Sequence, residues 1–169
     1  MIAYKFLRPE RVGLFSGMQW PAPGVWLESE AVEACRAGIH ACRLGDLPFW
    51  LGLGDLWETE LDGQIEEDAR KLVASRGRLV RRVEEWNAAN ADAFGESCAA
   101  EALRRARRNP ELDGIARDVG LTPSPSMAAF MGARAAELDE GPSGYETERM
   151  RQAEWLAAAL QLNRLRDGS

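Results

Sequence analysis

The chain has 169 residues, 46% of them hydrophobic and 28% charged, the composition of a folded globular protein rather than a disordered or fibrous one. A net charge of −6 argues against a general nucleic-acid or acidic-membrane surface, because such binding draws on clustered Lys and Arg. No run approaches the roughly 18 to 20 consecutive apolar residues of a bilayer span, and the stretch MIAYKFLRPERVG lacks an apolar signal-peptide core, which predicts a cytoplasmic protein.

Taken in order, Ile2 to Leu7 is β-branched and aromatic enough for a first strand, ended by Arg8-Pro9-Glu10. Residues 13 to 24 are rich in Gly and Pro and predict a loop, with Phe15 and Trp20 as its apolar anchors. Val25-Trp26-Leu27 predicts a short strand, Glu28 to Ala37 a helical turn or short helix, and Gly38 to Cys42 a buried strand. Asp46-Leu47-Pro48 combines a cap residue with a proline in the first turn, and so predicts a short helix over Leu47 to Leu51. Leu56 to Leu61 alternates with period two, placing Leu56, Glu58 and Glu60 on one face and Trp57, Thr59 and Leu61 on the other. Asp62-Gly63 is a turn signal, and Lys71 to Val83 predicts one or two strands broken at Gly77.

From Glu84 onward alanine becomes abundant and apolar residues recur at helical spacing, as in Phe94, Cys98, Ala102 and Ala106. Asn109-Pro110 breaks this helix, Glu111 to Val119 predicts a short one, and Ser124-Pro125 opens another as N-cap and first residue. Met127, Phe130, Met131, Ala135 and Leu138 are expected to form its apolar stripe, and Ala153, Leu156 and Leu160 the inner face of the last helix. Arg166 to Ser169 are expected to fray. The class that follows is α+β: a small mixed or antiparallel sheet domain over residues 1–86, then an all-helical region over 87–169.

Cys35, Cys42 and Cys98 are an odd set in a chain without an export signal, so reduced thiols are expected. Cys35, His40 and Cys42 are close enough to supply three zinc ligands, with Cys98, a carboxylate or water as the fourth, although their spacing matches no standard pattern. The leading expectation is no metal, with both cysteines packed in the core and His40 in a structural hydrogen bond. Glu58 and Glu60 are either an acid/base pair, with His40 the other catalytic candidate, or exposed charges on an edge strand. Tyr4, Trp20, Trp26, His40 and Trp50 are candidates to line a cleft for a flat ligand. The run Arg76, Arg78, Arg81 and Arg82 is either a phosphate site or a solvated face. Arg104, Arg105, Arg107 and Arg108 sit where a helix C-terminus favours cations.

The stretches GIHACRLGDLPFWL, LWETELDG, RKLVASRGRLVRRVEEW and YETERMRQAEWLAAALQL resemble an uncharacterised actinobacterial family. The N-terminal part is also similar to phage and bacterial domains of unknown function carrying C-x-x-G-[IF]-H-x-C, here Cys35, Gly38, Ile39, His40 and Cys42. Gly38-Ile39-His40-Ala41, the helix near Leu47 to Leu51 and the strand from Trp57 to Gly63 follow the order of the ADP-ribosyltransferase fold. That likeness implies NAD as cofactor and a site between Tyr4, His40 and Glu60. The chain departs from it by carrying Tyr4-Lys5-Phe6 where that branch has His-Gly, and His40 where it has the tyrosine that stacks on nicotinamide.

With no convergent catalytic set in the sequence, a non-catalytic binding or protein-interaction module is expected. It is expected to carry no cofactor and to meet a protein partner or a second copy through the C-terminal helices, with no nucleic acid or membrane partner. The alternative is an NAD-binding enzyme, active or degenerate, of ADP-ribosyltransferase type.

Overall fold

A computed structural model describes residues 1–33, 36–52 and 54–162. The chain divides into two compact units, one of Met1–Glu84 and one from Glu85 onward. The α+β class is realised as an antiparallel curled sheet followed by helices.

In the first unit, β1 (Ile2–Arg8) runs antiparallel to the long β5 (Asp55–Asp68), which turns at Ala69-Arg70 into β6 (Lys71–Arg82). β2 (Val12–Gly13) lines the outer edge of β1, while β3 (Leu27–Glu28) and β4 (Ile39–Ala41) pair with successive stretches of β6. Just past β4, Cys42 exchanges two backbone hydrogen bonds of 2.8 and 2.9 Å with Tyr4, so the sheet curls until β4 meets β1. Ala3, Leu7, Trp20, Ile39, Leu61 and Leu72 are buried inside the curl. Helix α1 (Leu47–Trp50) starts with the expected proline, but Asp46 makes no side-chain cap; its carboxylate accepts from Arg43 at 2.8 Å instead.

Several expectations are corrected here. Glu28 to Ala37 is not helical among its described residues, because Glu33 and Ala37 form a backbone bridge across a turn. The strand expected at Val25-Trp26-Leu27 is Leu27–Glu28. Asp62-Gly63 is no hairpin turn: Gly63, at φ +75°, takes up a register shift within a strand that continues to Asp68. Gly77 does not break β6 and pairs with both Leu61 and Leu27. Phe15 anchors nothing, being 88% exposed, whereas Trp20 is fully buried.

β5 is central, between β1 and β6, so Glu58 is not an exposed edge charge. Its side chain is buried and pairs across the sheet with Arg81 at 3.1 Å; Glu60 pairs with Arg78 at 2.6 Å and Asp62 with Arg76 at 3.5 Å. The first arginine run is thus one half of a cross-strand ion-pair ladder.

In the second unit, α2 (Ala88–Ala106) is capped by Asn87 and buries the expected Phe94, Cys98, Ala102 and Ala106. A 3-10 turn over Pro110–Leu112 leads into α3 (Asp113–Leu121). Ser124 caps α4 (Pro125–Glu140) as expected, through the Met127 N–H. The buried face of α4 differs from the expected stripe: Ala128, Ala129, Gly132, Ala133, Ala135 and Ala136 are inside, while Met127, Phe130 and Leu138 are exposed. Close helix packing selects the small side chains. The tight connection at Gly141 leads to α5 (Pro142–Ala159), where a Cβ on Gly144 would lie 2.3 Å from the Ala136 carbonyl oxygen. Ala153, Leu156 and Leu160 are buried as expected.

Arg105, in the second arginine run, is buried and reaches Glu101 at 3.2 Å, Asp139 at 3.5 Å and Glu140. Specific carboxylates, in addition to the helix terminus, hold this run. No described helix is long and apolar enough to cross a membrane. Arg166 to Ser169 lie outside the described residues.

Candidate functional site

Backbone groups of alternate residues on a strand point to the same neighbour. His40 therefore directs its carbonyl toward β1 as Cys42 does, but among the described residues no bridge beyond Tyr4 to Cys42 joins the two strands. Lys5 supplies what the ladder omits, its Nζ donating to the His40 carbonyl at 2.6 Å. The strands part here into a cleft of about 750 Å3. Tyr4, Lys5, His40, Cys42, Trp50 and Lys71 all line it, and Phe15 of the exposed loop stands at the same opening.

Lys5 shares a face of β1 with Ala3 and Leu7, and its ammonium lies 5.5 Å from the centre of the Trp20 ring. Burial pushes the Lys5 amine down to about 8 from 10.5, with the Cys42 thiol acting weakly in the other direction. His40 is also lowered, first by burial and then by the charges of Lys5 and Lys71. Its imidazole is neutral at pH 7, and among the described residues Nε2 is a buried atom without a hydrogen-bond partner. The Cys42 thiol, pushed up to about 12 by burial, donates to the Tyr4 carbonyl at 3.4 Å. Lys71 pairs with Asp68 at 3.3 Å, and the Trp50 indole N–H donates to the Arg70 carbonyl at 2.6 Å.

The structure therefore brings together Tyr4, His40 and Trp50 from the expected ligand set. Trp20 is instead buried in the core under Lys5, and Trp26 is stacked by Arg76 and Arg78, whose guanidinium carbons lie 4.2 and 4.6 Å from its ring centre. Neither lines the cleft. Glu58 and Glu60 are held by Arg81 and Arg78 and are not cleft residues either. Of the possible zinc ligands, His40 and Cys42 line the cleft, Cys98 lies in α2 of the helical unit, and Cys35 is outside the described residues. No three His, Cys, Asp or Glu side chains converge as a metal site among the described residues.

Sequence reading missed Lys5 and Lys71. The signal was compositional: among 21 Lys and Arg residues these are the two lysines, and both line the cleft together with the one histidine. Arginine never loses its proton in a protein, whereas a buried lysine does so readily.

A lysine held at a lowered pKa destabilises the fold at neutral pH. Between pH 8 and 10.5 the unfolded chain keeps this proton while the folded chain has released it, so folded stability rises with pH through that window. The shift corresponds to about 3 kcal/mol at pH 7, against about 1 kcal/mol from the hydrogen bond to His40. Lys5→Met is accordingly expected to stabilise the protein by about 2 kcal/mol at pH 7, an advantage that shrinks toward pH 10.5. Urea denaturation of both proteins across this range checks it; a Met variant less stable at pH 7 contradicts the account.

Comparison of the chain with protein-family models, with curated proteins and with solved structures finds no match.

Proposed function

We propose that the chain is a non-catalytic binding module of the cytoplasm, whose N-terminal unit receives a small anion with a flat apolar body. The convergence of both lysines on one cleft, beside a neutral His40, carries this reading, since the two ammonium groups concentrate positive potential locally in a chain of net charge −6. Phe15, Met18 and Trp50 supply apolar wall, and Lys71 supplies a point charge for a carboxylate or phosphate. The arginine runs, being paired with carboxylates of their own units, support a protein without a nucleic-acid partner.

4-Methylbenzoate is a suitable probe, and the imidazole signals of His40, the one histidine, are a resolved NMR reporter. Saturable shifts of His40 and of the Trp50 indole N–H at millimolar probe are expected, with affinity falling at least about fivefold in Lys71→Gln. Binding that leaves both reporters unmoved sinks the reading. The same titration with NAD tests the ADP-ribosyltransferase-like alternative through the same His40 signals.

The exposed face of α4 supports a second reading, association of two copies. Met127, Phe130 and Leu138 are 47%, 47% and 62% exposed, and the Arg134 and Glu137 pair lies among them. Two α4 helices packed antiparallel would place each of these charges against its opposite on the other copy. Sedimentation at micromolar concentration, with Phe130→Glu as the disrupting variant, decides between a dimer and a monomer.

A further inference from the structure

We propose that Lys5 is an amine nucleophile that captures a carbonyl compound bearing an anionic group, as a reversible imine in the cleft. The proposal rests on the reading of the cleft as an anion site and adds to it the chemistry of the bound molecule.

Lys5 projects from β1 at the seam where β1 and β4 part, with the His40 carbonyl and the Trp20 ring as its contacts. Among the described residues no carboxylate pairs with it, in contrast to Lys71 with Asp68 and to the arginines of the β5–β6 ladder. A lysine needed only for charge could be an arginine, as almost every other basic position in the chain is. A lysine needed only for packing would sit under apolar cover, whereas Lys5 lines an open cleft.

The neighbours supply the remaining requirements. Trp20 and the curled sheet desolvate the ammonium, and His40 and Cys42 are the titratable groups it acts on. Burial without a paired carboxylate favours the neutral amine. With its proton released near pH 8, roughly half of Lys5 is a free amine at that pH, against well under 1% of an ordinary lysine.

In the step itself the nitrogen lone pair of Lys5 forms a bond to the carbonyl carbon, and the carbonyl π pair moves to oxygen. One proton transfers from nitrogen to that oxygen to give the carbinolamine; the second nitrogen proton then passes to the hydroxyl as the C–O bond breaks, and water leaves as the C=N bond forms. No oxidant or reductant takes part, and hydrolysis reverses the sequence. Lys71 holds the anionic group of the ligand, which sets the carbonyl toward Lys5.

The test uses 4-formylbenzoate, matched in shape to 4-methylbenzoate but bearing an aldehyde, with borohydride to reduce any imine to a stable amine. Peptide mapping after brief exposure at pH 8 is expected to find Lys5 modified at least about tenfold faster than Lys71, a preference abolished in urea. Lys5→Arg and Lys5→Met are both expected to lose the rapid modification, and either variant suffices if the other fails to fold. Equal labelling of Lys5 and Lys71, or labelling of Lys5 as fast in urea as in the folded protein, overturns the proposal. If 4-methylbenzoate binds and Lys5 is not trapped, the imine fails while the anion site stands. If Lys5 is trapped and 4-methylbenzoate leaves His40 unmoved, the anion reading fails and the nucleophile stands.

Discussion

Replacing Glu148 with alanine is expected to cost about 3–5 kcal/mol, because it removes the hub of a buried polar network in the helical unit. The Glu148 side chain is 1% exposed. Its carboxylate accepts from the Arg151 guanidinium at 2.8 and 2.9 Å and from Gln152 Nε2 at 3.1 Å. Arg151 also donates to Ser97 of α2 at 3.1 Å, and Gln152 donates to the Ala129 carbonyl of α4 at 3.0 Å. Arg149, buried beside them, donates to Gln152 Oε1 at 3.2 Å and to the Tyr145 hydroxyl. One residue of α5 thereby helps orient the groups that tie three helices together, and truncating it leaves Arg151 as a half-buried cation without its carboxylate. Glu148→Gln keeps the shape and one acceptor and is expected to lose clearly less. Urea denaturation followed by far-ultraviolet circular dichroism measures both; a loss under about 1 kcal/mol for the alanine variant would mean the network adds little.

Trp20→Ala is expected to be comparably severe, at about 3–5 kcal/mol, as for other large-to-small changes in a packed core. Trp20 is fully buried, and the loop that carries it is tied to Arg11 by a backbone bond of 3.0 Å and a guanidinium bond of 3.3 Å. Among the described residues its indole N–H has no acceptor, so Trp20→Phe, which removes that donor and keeps most of the ring, is expected to cost far less. The alanine variant has a second consequence. With the ring gone water reaches the Lys5 ammonium, whose lowered pKa is caused chiefly by burial, and its amine returns toward 10.5. The pH at which Lys5 becomes reactive is therefore expected to rise in Trp20→Ala and to stay near 8 in Trp20→Phe. A Trp20→Ala protein with unchanged stability and unchanged Lys5 reactivity would remove the tryptophan from both roles.

Local signals carried the α+β class and most of the elements. Period-two alternation marked Leu56 to Leu61, helical spacing marked Phe94 to Ala106, and Ser124-Pro125 marked the start of α4, because each depends on residues within a few positions of one another. Asp62-Gly63 misled for the same reason: a turn dipeptide and a bulge glycine have the same local chemistry, and pairing of β5 with β6 out to Asp68 selects the bulge. The alternation of charge in Glu58 and Glu60 was legible, but the burial of Glu58 depended on β1 and β6 lying on either side of β5. The face of α4 was decided by how closely neighbouring helices approach, which favours alanine over the larger Met127, Phe130 and Leu138. Of the cleft, Tyr4, His40 and Trp50 were legible as aromatic or titratable residues. Lys5 was not, because a lysine in a strand reads as a solvated charge until the curl of the sheet sets Trp20 beneath it and the His40 carbonyl beside it. Those contacts join residues 15 and 35 positions apart, and desolvation, the source of the chemistry proposed for Lys5, exists only once the sheet has closed around it.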